Sequence, residues 1–147
     1  MLNLTGKAGA IPAFFITLNG IMEIELILYV ADQEKSKTFY SILLDKEPSL
    51  DVPGMTEFFL DDTTKLGLMP ESGINKILAG KTSNPAEGNG IPRCEIYLRS
   101  YSITNLYHNA IKAGAKIISE PLARDWGDKV AYVADHDGHI IAFAEKL

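Results

Sequence analysis

Two glutamates, Glu25 and Glu95, each open a short run of alternating apolar and aromatic residues. A carboxylate on the inward face of such a strand can recognise a cationic or hydroxyl-rich ligand. It can also act as a base where burial raises its pKa. Tyr29, Phe58, Tyr97, Trp126 and Tyr132 fall by alternation toward the same side. Rings with a few polar tips are what a small-molecule pocket needs, because the rings supply area and the hydroxyls supply orientation. Arg99 shares the face of Tyr97, where its fork of donors can hold a carboxylate or phosphate, or neutralise Glu95. Ordinary packing between sheet halves is the competing reading for the aromatics, and a solvated strand end is the competing reading for the glutamates.

Fewer chemistries suit the histidines. His136 and His139 flank the turn at Asp137-Gly138, which is expected at a sheet rim and exposed, and His108 sits on a helix surface. The sequence carries no nucleophile elbow, phosphate loop or Cys/His dyad signature, so covalent hydrolysis and nucleotide binding have no support.

The elements that must hold these residues occur twice. Residues 25–30 read as a strand with Leu26, Leu28 and Val30 on one face and Glu25, Ile27 and Tyr29 on the other. Asp32 then caps a helix over residues 32–44, where Phe39, Ile42 and Leu43 recur at helical spacing. The second copy repeats the pattern. Residues 95–98 form a strand whose Ile96 and Leu98 face a helix bearing Ile103, Leu106, Ala110 and Ile111, and Gly114 ends that helix. A hairpin around residues 61–64 closes the first half, and one around residues 135–138 closes the second. Neither half can bury a small sheet alone, so pairing makes both the core and a cavity.

At 147 residues and 46% hydrophobic, the chain suits one domain. Residues 22–147 are read as that domain, with module one at 22–72, a crossover linker at 73–92 and module two at 93–147. Residues 1–21 stand outside the repeat. Their apolar stretch faintly resembles a signal peptide, but Pro12 interrupts it and no small-residue cleavage site follows, so Met22 reads as the natural start. The net charge of −5, with scattered basic residues, argues against nucleic acid and anionic membranes. The lone Cys94 excludes an internal disulfide, fits a reducing, cytoplasmic compartment, and is expected to pack as a small apolar residue.

Val30-Ala31-Asp32, Ser36 and Phe39-Tyr40 resemble the first-module signature of the vicinal oxygen chelate superfamily, which includes glyoxalase I, bleomycin-resistance proteins and extradiol dioxygenases. Ala113-Gly114-Ala115, Glu120-Pro121, Trp126-Gly127 and the run from Tyr132 to His139 resemble its second. The resemblance implies an α+β fold of two paired βαβββ modules forming a cup-shaped mixed sheet, with helices outside. It also implies metal-ligand positions at Glu25 and Leu68 in the first half and at Glu95 and Ala142 in the second. Leu68 and Ala142 donate nothing and would only line the cup. A catalytic divalent site needs about three protein ligands. The expectation is therefore a small-organic-ligand binder without a metal cofactor, with Glu25 and Glu95 as the candidate catalytic pair if there is chemistry. The alternatives are a metal-dependent lyase, isomerase or dioxygenase, and a partner-binding module. The resemblance further implies a homodimer.

Overall fold

In the computed structural model, residues 22–147 are described, and the expectations for residues 1–21 lie outside them. The two halves fold alike. Strand β1 (Ile24–Val30) leads into helix α1 (Gln33–Leu44), then β2 (Leu50–Val52), β3 (Met55–Phe59) and β4 (Thr64–Pro70). Strand β5 (Glu95–Arg99) leads into α3 (Thr104–Lys112), then β6 (Lys116–Ala123), β7 (Asp128–Ala134) and β8 (Ile140–Lys146). Each half is a four-stranded mixed sheet, in the orders β1-β4-β3-β2 and β5-β8-β7-β6. The first strand pairs parallel to the last and the remaining pairs are antiparallel.

Local chemistry sets the boundaries. The Asp32 carboxylate accepts from the Lys35 backbone N–H at 2.9 Å and starts α1. Asp45, left-handed at φ 51°, ends it. The turn before β4 has no glycine because Asp61 closes it, accepting from the N–H groups of Thr63 at 2.8 Å and Thr64 at 2.7 Å. The Asp135 carboxylate does the same before β8, taking the N–H groups of Asp137 and His139, both at 2.9 Å.

Alternation sorts each sheet into a covered and an uncovered face. Leu28, Val30, Phe58, Leu66 and Leu68 of the first sheet join Ile96, Ala131, Val133, Ile141 and Phe143 of the second in one buried core. Phe39, Tyr40 and Leu43 of α1 and Ala110 of α3 complete it. Helices α1 and α3 pack on each other, so both modules share a single interior. No helix of the described residues is long and apolar enough to cross a membrane.

Three expectations change here. The stretch read as a linker holds helix α2 (Glu71–Leu78), anchored by buried Ile74, and a 3-10 turn at Pro85–Glu87. Ile111 is half exposed instead of packed beneath the sheet. Cys94 lies exposed ahead of β5, because the strand begins only at Glu95.

Candidate ligand-binding site on the second sheet

The uncovered face of the second sheet brings most of the expected residues together. Tyr97 pairs with Ala142 and Arg99 with Ala144 across β5–β8, while Tyr132 pairs with Ala142 across β7–β8. Val130, Ala142 and Ala144 form a small second core under Tyr97 and Tyr132. The two alanines leave room for the rings to pack over the strands.

A hydrogen-bonded chain crosses this face. The indole N–H of Trp126 donates to the Tyr97 hydroxyl at 3.2 Å, and that hydroxyl donates to Asp128 Oδ2 at 2.9 Å. Arg99 donates to the same oxygen at 2.5 Å. The Tyr97 hydroxyl, with the Arg99 charge adding, holds the Asp128 carboxyl below its ordinary range. Its other oxygen, Oδ1, is buried without a partner, as is Nε of Arg124. The Arg124 guanidinium stacks over the Tyr132 ring at 5.4 Å and bonds Ser119 Oγ at 2.7 Å. Burial pushes the Tyr132 hydroxyl up, with the Glu95 charge adding and Arg124 opposing; Glu95 precedes Tyr97 by two residues along β5 and shares its face. Trp126 stays half exposed at the edge.

Asp128 and Arg124 are functional candidates that the sequence reading missed. Asp128 was accessible to it, since Asp128, Val130 and Tyr132 alternate onto one face. Arg124 was not, because β6 shifts register between Ile117 and Ser119 and again before Leu122, which scrambles alternation.

The first sheet contributes differently. Glu25 and Tyr29 lie on its uncovered side, with Glu25 beside Glu57 and Lys65, which form an ion pair at 2.8 Å. Burial raises the Glu25 carboxyl, Glu57 adds to the rise and Lys65 opposes it. The Glu25 side chain folds over Gly67: a Cβ added there would meet Glu25 Oε1 at 2.7 Å. Phe58 and Leu68, expected to line the cup, are instead fully buried in the shared core. Both sit one residue away from the uncovered positions, and a one-residue slip moves a strand residue to the other face. Gly67 pairs with Ile27 as Ala142 pairs with Tyr97, so Gly67, not Leu68, is the first-module counterpart of Ala142.

That correction bears on metal binding. The four corresponding positions are Glu25, Gly67, Glu95 and Ala142, a donor set of two carboxylates on two different sheets, which does not fit a catalytic divalent ion. A tighter donor cluster lies at the rim, where oxygens of Asp135 and Asp137 and a nitrogen of His139 fall within 4.8 Å of one another. Its buried member is already saturated. Asp135 Oδ1 takes two backbone N–H groups, and Oδ2 takes the Tyr40 hydroxyl at 2.7 Å and His139 Nδ1 at 2.8 Å. His139 is thus half buried, not an exposed turn residue. His136 is exposed but rests edge-on against Phe39, with centroids 5.2 Å apart. His108 is exposed as expected.

A glyoxalase-like domain model matches residues 23–147. No curated protein matches the sequence. Several solved structures share the fold. A glyoxalase-related enzyme from Fulvimarina pelagi superposes with a TM-score of 0.72 at 19% identity, covering 86% of this chain and 88% of that one. A glyoxalase/bleomycin resistance protein/dioxygenase from Nocardioides gives 0.67 at 20% identity, covering 91% of each. A member of the glyoxalase/bleomycin resistance protein/dioxygenase superfamily from Sphaerobacter thermophilus gives 0.64 at 21% identity, covering 86% of this chain and 98% of that one.

Proposed function

The chain belongs to the glyoxalase-like domain family, within the vicinal oxygen chelate superfamily, and from that premise we propose that it binds a small organic molecule without a resident catalytic metal. The observation that carries this reading is the chain from Trp126 through Tyr97 to Asp128 and Arg99, set beside Tyr132 on an uncovered sheet face. It offers apolar ring area together with fixed donors and acceptors, which is the composition of a recognition surface. The Asp128 and Arg124 atoms left unpaired mark where hydrogen bonds are still to be made. Glu95 adds an acceptor, and Glu25 supplies a carboxylate with a raised pKa on the other sheet.

The protein acts as a homodimer in the cytoplasm under this reading. The edge strand β1, with half-exposed Ile24 and Leu26, is an apolar surface of the kind a second copy would cover. Native mass spectrometry with elemental analysis of freshly purified protein tests all three points at once. The expected result is a dimer, substoichiometric transition metal, and retained small molecules or binding that quenches Trp126, the single tryptophan. Stoichiometric metal lost on substituting Glu25 and Glu95 would overturn the metal-free reading in favour of a lyase or dioxygenase.

A further inference from the structure

A separate cavity of about 420 Å³ lies at the rim between the modules, and neither Glu25 nor Glu95 lines it. Its walls are the end of β1, the start of α2, the segment from Gly88 to Cys94 and the turn from Asp137 to His139. The size is within the range of small-molecule sites. Its apolar walls come from Ile27, Tyr29, Pro85, Ile91 and Pro92, so a ligand with a hydrocarbon body would be desolvated there.

Three charged side chains on the lining remain available, beside the neutral amide of Asn89. Glu71 and Arg93 are held in no ion pair among the described residues. His139 commits Nδ1 to Asp135, which fixes the ring and leaves Nε2 for a partner. Asp137, the remaining acid on the wall, is already used: Oδ1 accepts from the Ala31 N–H at 3.1 Å and Oδ2 from Ser36 Oγ at 3.4 Å. The wall therefore offers the Arg93 guanidinium and, in the protonated ring, the Nε2–H of His139 for an anionic group, the Glu71 carboxylate, whose charge also reaches His139, for a cationic group, and apolar surface for the rest.

We propose that the rim cavity is a binding site for a small apolar α-amino acid, with Arg93 and His139 taking its carboxylate, Glu71 its ammonium, and Tyr29, Ile91 and Pro92 its side chain. The charge set discriminates this class from a simple acid or a simple amine, because either one leaves an opposite charge on the wall without a partner. The backbone also favours a fixed site. Gly138 sits against Gly90, since a Cβ on Gly138 would meet Gly90 Cα and O at 2.9 Å, and this contact ties the two loops that form one wall.

The test is a two-dimensional amide NMR titration of the full chain with L-leucine, isovalerate and isoamylamine. L-leucine is expected to shift the amides of Tyr29, Gly90 and His139, and to bind about tenfold or more tightly than either single-charge analogue. Arg93→Gln at an exposed position and Glu71→Gln at a partly exposed one, each checked for an unchanged spectrum outside the cavity, should each weaken L-leucine by about tenfold. The proposal is overturned if 20 mM (about the millimolar limit of useful affinity) moves none of these amides. Isovalerate binding as tightly as L-leucine, or indifference to both substitutions, would overturn it equally. Shifts confined to Tyr97 and Tyr132 would place the ligand on the second sheet, supporting the proposed function while refuting this site.

Discussion

Replacing Leu68 by alanine separates the two faces of the first sheet by energy. Leu68 is fully buried and packs in the shared core with Leu28, Phe58 and Leu66, so truncating it removes buried methyl groups and leaves a cavity among close-packed neighbours. Such changes cost about 2–5 kcal/mol. For a domain of this length, 1 kcal/mol moves Tm by roughly 3–5 °C, so the expected fall is about 6–25 °C. Met69→Ala is the control: Met69 is only half buried and lies on the uncovered face, and the expected cost is about 1 kcal/mol or less. Thermal melts by circular dichroism and urea titrations give both values, with an unchanged m-value showing that native stability is what moved. Equal costs for the two substitutions, or a larger cost for Met69, would mean that the face assignment is displaced by one residue. The equivalence of Gly67 in the first module to Ala142 in the second would then fail with it.

The Asp135–His139 pair should make stability depend on pH in two directions. Burial disfavours the imidazolium of His139, but the bond and charge of Asp135, with Asp137 and Glu71 adding, raise its pKa. Its contribution is complete below 6.5, the unperturbed value, and is lost as pH rises through the raised value. The Tm difference between the parent and His139→Gln should therefore shrink as pH climbs from 6 to 9, a range chosen to span roughly the histidine titration. Burial works to raise the Asp135 carboxyl, yet the bond and charge of His139 and the Tyr40 hydroxyl hold it below 3.8, so its contribution is present above that value and lost as pH falls further. Gly138→Ala combines a φ of +89° with the backbone clash against Gly90, and should cost about 1–3 kcal/mol in a chemical denaturation curve. Deleting residues 1–21 should leave a cooperative thermal transition little changed, because the family match begins at residue 23; a loss of many degrees would place that segment in the core or in an interface.

The duplicated architecture was legible because alternation in residues 25–30 and 95–98 and helical spacing after Asp32 act locally. The site on the second sheet was legible for the same reason, since Tyr97, Arg99, Tyr132 and Ala142 follow one alternation through unbroken strands. The first module misled through its turn. The two aspartates that close the hairpins look equivalent, but the closing backbone bonds run from Leu60 to Thr64 in one and from Asp135 to His139 in the other. Asp61 is thus the second residue of its turn and Asp135 the first of its own. Aligning them displaces β4 by one residue, enough to send Leu68 and Phe58 to the wrong face. Helix α2 escaped notice because glycine and proline dominate the surrounding stretch, and only Ile74 is buried by it. The tie from Asp135 to Tyr40 spans distant parts of the chain and leaves no local pattern at all.

The exposure of Cys94 has a practical side. It is the only thiol in the sequence, and it lies on the wall of the rim cavity immediately before β5. A maleimide fluorophore or a nitroxide attached to the unmodified chain would therefore sit at that opening without any engineered anchor. Its emission or its line shape would report in real time on what enters there, while the indole of Trp126 reports separately on the second sheet. One label and one intrinsic chromophore thus give two spectroscopic channels on a single, otherwise native polypeptide.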